Sequence, residues 1–141
     1  MSAKGRKGEG LKLGILGGTF DPIHYGHLAA AEEAWTRLHL KLVLFAPVAI
    51  PPHKADEIIL PLAHRLAMVT LAMASNPHFA LSRVDIDRTP PYYSVDTVRL
   101  LREKWSLDSE HLFFIIGLDS LRDLPTWHRP WELIQACRLA V

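Results

Sequence analysis

The chain reads as an α/β protein built on a doubly wound, mainly parallel sheet. Three observations predict this. Strand-like and helix-like segments alternate from Lys12 onward, a pair of glycines closes the first strand, and the unusual residues all cluster just after strands. With strand order 3-2-1-4-5, the first and fourth strands lie side by side and their connections leave in opposite directions. A crevice then opens at their carboxyl ends, where such sheets bind ligands.

Each element has its own signal. Leu11 to Leu16 is short, apolar and stopped by Gly17 and Gly18, as a buried strand should be. Leu28, Ala31, Trp35 and Leu38 then recur at helical spacing, placing Trp35 in the core. Leu42 to Phe45 is a second strand, ended by Pro47 and by Pro51-Pro52, which permit neither helix nor central strand. Leu62, Leu66, Val69 and Met73 form a second helical stripe, closed by Asn76-Pro77. A third strand is expected over Phe79 to Val84. Ser94 is placed to cap a helix whose inward face is Val95, Val98, Leu101 and Trp105. His111 to Ile116 is the fourth strand, closed by Gly117, and a short helix around Trp131 to Ala136 leads into Leu139-Ala140-Val141, a fifth strand cut off as it begins. The expectation is a Rossmann-like doubly wound sheet, truncated at its fifth strand.

Composition narrows the function. The chain has 141 residues, 49% of them hydrophobic and 22% charged, which suits a globular domain and excludes a disordered tail or a collagen. With 16 Lys and Arg against 15 Asp and Glu the net charge is +1, so no global field draws it to nucleic acid or an anionic membrane. The longest apolar runs, such as Leu42 to Ile50, fall well short of the roughly 20 residues of a membrane span. Cys137 is alone, which excludes an internal disulfide, leans to the cytoplasm, and reads as plain packing. Residues 1–10 lack the apolar core of a signal peptide and read as a flexible leader ahead of one domain over 11–141. A homo-oligomer is left open.

The most informative segment runs from Gly17 to Leu28: Gly-Gly-Thr-Phe-Asp-Pro-Ile-His-Tyr-Gly-His-Leu. Paired glycines let the backbone turn sharply, and the helix starting near His24 presents free amides and the positive end of its dipole, which suit a phosphate. His24 and His27 are three apart, so they share a face of the first turn, with Gly26 leaving room between them. Imidazoles there can donate to phosphate oxygens. Two glycines alone are most often a plain turn and lone histidines most often surface groups; the ordered set of strand, Gly-Gly, Pro, His-x-Gly-His and helix is what carries the reading. A zinc site lacks a third ligand in these segments. The G-x-G-x-x-G fingerprint and the G-x-x-x-x-G-K-[ST] loop are both missing, which disfavours a dehydrogenase and a P-loop hydrolase.

Gly17 to Leu28 resembles the signature of the bacterial nicotinate-mononucleotide adenylyltransferases, within the nucleotidyltransferases marked by His-x-Gly-His. Pro51-Pro52-His53-Lys54 resembles that family's Pro-Pro-His-Lys loop, Tyr93 to Thr97 its Tyr-Thr-x-x-Thr segment, and Ile116 to Leu121 with Trp127 its Gly-x-Asp-x-Leu and downstream Trp. The resemblance implies transfer of an adenylyl group from Mg²⁺-bound ATP to nicotinate mononucleotide, giving deamido-NAD and pyrophosphate in NAD synthesis, with no protein nucleophile.

It also implies roles. Gly17, Gly18, Thr19 and Phe20 would lie along ATP, His24 and His27 would be the catalytic pair on its phosphates, and Lys54 would reach a phosphate from its loop. Ser94, Thr97 and Trp127 would form the nicotinate pocket, and Asp119 would accept from a ribose hydroxyl. No protein metal ligand is implied. Smaller differences from the family pattern are Ser94 where Thr is commoner, Leu118 and Ser120 beside Asp119, and His128 after Trp127. Family members continue to a Ser/Thr-containing motif ending in Ile-Arg, so the expectation is a domain incomplete at its C-terminus. Two alternatives stand beside this reading: a related adenylyltransferase with another acceptor such as phosphopantetheine, and a non-catalytic nucleotide-binding fragment. A nucleic-acid-binding role ranks last.

Overall fold

The computed structural model describes residues 10–51 and 58–141; most of the leader, and the Pro52-His53-Lys54 loop with Lys54, lie outside the described residues. The elements are β1 (Leu13–Gly18), α1 (Tyr25–Leu38), β2 (Leu42–Pro47), α2 (Leu62–Met73), β3 (Phe79–Leu81), α3 (Ser94–Trp105), β4 (Leu112–Ile115), α4 (Leu118–Asp123), a 3₁₀ turn (Leu124–Thr126), α5 (Pro130–Ala136) and β5 (Arg138–Ala140). The five strands are parallel in the order β3-β2-β1-β4-β5. The predicted sheet and its switch point between β1 and β4 are therefore present.

Alternation along the strands sorts the core into two layers. Leu13, Ile15 and Leu44 pack with Val95, Val98 and Leu101 of α3 and Leu133 of α5. Leu16, Val43 and Phe45 pack on the other side with Ala31 and Ala34 of α1 and Val69 and Met73 of α2. Strands buried on both faces have to be apolar throughout, which is why Leu42 to Phe45 shows no polar alternation.

Several boundaries differ from those the sequence predicts; β2 runs on to Pro47, β4 is Leu112–Ile115 and β5 is Arg138–Ala140. The glycines do not end β1 but belong to it, Gly17 pairing with Ala46 and Gly18 with Pro47 in the ladder to β2. The third strand stops at Leu81 instead of Val84: the Ser82 Oγ accepts the Val84 N–H at 3.3 Å, and the Arg83 carbonyl accepts from Ile86 and Asp87, so the chain turns. Ser94 is the first residue of α3, whose N-cap is Tyr93 and carries no side-chain cap bond. The stretch after Gly117 is helical, an element too short to show a periodic stripe.

Candidate active site

The histidine pair is organised by the start of α1. His24 is its N-cap, and the His24 Nδ1 accepts the Gly26 N–H at 3.0 Å while the His27 Nδ1 accepts the His24 N–H at 3.1 Å. This is the capping-box exchange made with imidazoles. An Nδ1 that accepts carries no proton, so in each neutral ring the proton sits on Nε2. The rings lie 3.9 Å apart between centroids. A Cβ on Gly26 would stand 2.8 Å from His24 Cε1 and 2.9 Å from its Nδ1, so only glycine lets the ring fold back onto the helix end. Burial, and secondarily the charge of His24, pushes the His27 pKa below its usual 6.5. The resting pair is thus set up as Nε2–H donors.

Phe20 explains part of that burial. It is a non-glycine residue at φ 52°, is 2% exposed, and its ring lies 4.8 Å from that of His27 and 5.9 Å from that of Phe45. It acts as the floor beneath His27, joined to the core. Gly18 sits at φ +148° with nothing within 4 Å of the side-chain position, leaving the end of β1 bare.

Two cavities meet at this corner. One, of about 370 Å³, is lined by Gly17, Gly18, His27, Ser94, Thr97 and Trp127 among others. The other, of about 690 Å³, runs along α1 past His24 and His27 to Ile115, Gly117 and Val141. His27 lines both, as do Leu16, Ile115, Ile116 and Gly117. Neither wall includes Thr19, Phe20 or Asp119. Asp119 points outward with its side chain 97% exposed, 3.8 Å from Arg122. The structure therefore brings together the glycines, His27 and the Ser94–Thr97–Trp127 group in one cavity, with His24 at the edge of the other.

Several residues at this site carry no motif. Arg65 is 1% exposed on α2, yet its guanidinium donates to the carbonyls of Thr19 (2.9 Å), Val48 (2.8 Å), Ala49 (2.9 Å) and Leu60 (3.0 Å). It ties the loop after β1 to the loop after β2. Its one sequence signal is a charge four residues before Val69, on the buried stripe. Asp85, 4% exposed, holds Arg88 and Thr97: Arg88 donates to Oδ1 from Nε at 3.0 Å and Nη2 at 2.8 Å, and the Thr97 hydroxyl lies 2.9 Å from Oδ1. Burial pushes the Asp85 carboxyl above the ordinary carboxylate range, opposed by the bonds from Arg88 and Thr97. Tyr93 stacks on His128 at 3.9 Å, clamping the start of α3 to the turn that carries Trp127, whose ring meets Phe114 edge-on. Cys137 is buried with its thiol pushed up to about 11 by burial, in keeping with packing.

A parallel doubly wound sheet with a histidine-capped helix at its switch point defines the class, and the comparisons give the family. The chain belongs to the cytidylyltransferase-like family, whose model matches residues 15–141. It is 54% identical over 130 residues, 92% of its length, to a probable nicotinate-nucleotide adenylyltransferase of Thermomicrobium roseum, and covers 60% of that protein. It is 47% identical over 129 residues to the protein of the same name in Dehalococcoides mccartyi, covering 92% of this chain and 63% of that one. The chain thus spans about 60% of the length of these curated relatives. Its fold is shared with the Plasmodium falciparum nicotinic acid mononucleotide adenylyltransferase solved in complex with NaAD, at TM-score 0.72 and 19% identity over 92% of this chain and 62% of that one.

Proposed function

We propose that the chain carries the catalytic core of an enzyme that transfers the adenylyl group of ATP to nicotinate mononucleotide, releasing pyrophosphate and deamido-NAD. The observation that carries this reading is the position of His27 on the boundary of both cavities, with its Nδ1 taken by the His24 N–H so that the proton of the neutral ring lies on Nε2. Two reactants, one on each side, would meet at that ridge. The names of the 54% and 47% identical relatives support the same substrates.

The reaction is an in-line displacement: a phosphate oxygen of the mononucleotide bonds to the α-phosphorus of ATP as the bond to the pyrophosphate oxygen breaks. It calls for positioning and charge stabilisation and no covalent step on the protein. His24 and His27 donate from Nε2 to the phosphates, while Gly17 and Gly18 let the nucleotide lie close to the backbone. Lys54 is assigned to a phosphate, while Thr19 and Asp119, which lie outside both cavity walls, are given no contact in this reading. Trp127 offers its indole face to the pyridine ring. The Thr97 hydroxyl is committed to Asp85, so Ser94, which makes no side-chain hydrogen bond among the described residues, is the hydroxyl open to the nicotinate carboxylate.

Among the described residues no group of three or more His, Cys, Asp or Glu could hold a metal ion. The ion of Mg-ATP would arrive on the triphosphate and offset the charge of the departing pyrophosphate. No helix among the described residues is long and apolar enough to cross a membrane. A step of NAD synthesis of this kind is assigned to the cytoplasm.

The test is pyrophosphate release from Mg-ATP by the chain joined to the remaining part of the Thermomicrobium roseum relative, with nicotinate mononucleotide and phosphopantetheine compared as acceptors. Turnover with the mononucleotide supports the proposal. A preference for phosphopantetheine, or nucleotide binding without turnover, overturns it.

A further inference from the structure

Among the described residues, the wall of the smaller cavity holds one carboxylate, Asp85, which is 4% exposed, is bonded by Thr97 and shares that wall with Ser94. Its bonds are unevenly shared. Oδ1 receives Arg88 Nε and Nη2 and lies 2.9 Å from the Thr97 hydroxyl, whereas Oδ2 has only that same hydroxyl, at 3.0 Å. That hydroxyl has one proton to give and also accepts from Arg88 Nη2 at 2.9 Å. Arg88 in turn reaches the Tyr93 carbonyl at 3.4 Å and lies 5.5 Å over the Tyr92 ring, so one cation both neutralises the carboxylate and braces the segment leading into α3. Any ring substituent seated against Ser94 therefore shares its cavity with one carboxylate, whose charge is balanced by Arg88 from behind the wall.

We propose that Asp85 is a specificity-determining residue, its pairing with Arg88 setting whether the acceptor pocket takes a charged or a neutral group on the pyridine ring. The inference rests on the acceptor assignment made above. Nicotinate and nicotinamide mononucleotides differ only in carboxylate against carboxamide, so the ratio of their affinities cancels the shared phosphate and ribose contacts. Removing the negative partner leaves the Arg88 charge unopposed and favours the acid. Removing the positive partner leaves Asp85 unopposed and favours the amide. Loosening of the wall alone would weaken both ligands together.

The experiment measures dissociation constants of the two mononucleotides by calorimetry at pH 8, on the same completed chain as above, for the unaltered protein, Asp85→Asn, Arg88→Gln and the double variant carrying both substitutions. The expected shift in the acid-to-amide ratio is roughly 10-fold toward the acid in Asp85→Asn and roughly 10-fold toward the amide in Arg88→Gln. The double variant should return to within about 3-fold of the unaltered ratio. Should a single variant fail to fold, the double variant and Arg88→Lys, which keeps the charge, must both hold the ratio within about 3-fold. Shifts in the same direction, or no shift in a chain that binds the mononucleotides, overturn the inference and leave the proposed reaction standing. A chain that binds neither mononucleotide overturns the acceptor assignment, and the inference falls with it.

Discussion

The backbone N–H of His24 is held by the Nδ1 of His27 at 3.1 Å, while the His24 ring turns back to take the amide of Gly26 at 3.0 Å. Two side chains that line the cavities are thereby fixed by the helix they start. The cap sets both the ring positions and the tautomer, so the chemistry and the local fold share the same atoms.

Substitution at Gly26 separates these two roles. A methyl there meets the His24 ring at 2.8 Å and displaces it, losing a cap bond of about 1 kcal/mol. Alanine recovers about 1 kcal/mol of helix propensity over glycine. Gly26→Ala should leave the urea midpoint nearly unchanged while weakening ATP binding at least roughly 10-fold, read by calorimetry. A matching loss of stability and no loss of binding would contradict the cap geometry.

The lowered pKa of His27 predicts a pH dependence of stability. Because the unfolded chain binds the proton more tightly than the folded one, the neutral ring's contribution is complete above about pH 6.5 and is lost as the pH falls through the lower folded value. Melting temperatures at pH 5 and pH 7.5 check this. The unaltered chain should lose more on acidification than His27→Gln, which has no proton to take up at that position. Equal losses would contradict it.

Arg65 is expected to matter more for stability than any surface arginine. Its guanidinium supplies the donors for four carbonyls in a site 1% exposed, and Arg65→Met would leave them without partners. The expected cost is about 3 kcal/mol or more, measured by urea unfolding. A change below about 1 kcal/mol would mean that the loops after β1 and β2 hold their shape without it.

What was legible in the sequence follows from periodicity and local chemistry. The alternation of strands and helices, both core faces of the sheet and the histidine-bearing helix start can be read because apolar runs, stripes and a motif of adjacent residues are local signals, whereas the strand order comes only with the doubly wound class. Arg65 cannot be read this way, since one of its partners lies 46 positions away, and the Asp85–Arg88–Thr97 network is missed because it joins a loop to a helix 12 positions on with no periodic or motif signal. Phe20 and Thr19 show a subtler limit. The motif places them beside the nucleotide, but backbone geometry turns the Phe20 ring under His27 and gives the Thr19 carbonyl to Arg65.

Cys137 offers a check on the core. Buried against the Leu133 carbonyl at 3.5 Å, with its thiol pushed up to about 11, it should react with an aromatic disulfide reagent only on unfolding. Rapid labelling of the folded chain at pH 8 would show that the β4–β5 side of the sheet opens.

The proposed reaction requires two imidazoles that present Nε2–H to a triphosphate. Nitrogen-15 resonances of the histidine rings, followed as ATP is added, report this directly. The prediction is that His24 and His27 begin as the Nε2–H tautomer, that their Nε2 signals move on binding, and that His27→Ala weakens the complex and lowers turnover by roughly 10²- to 10³-fold. ATP binding that leaves both rings unmoved, or begins from rings protonated on Nδ1, would contradict it.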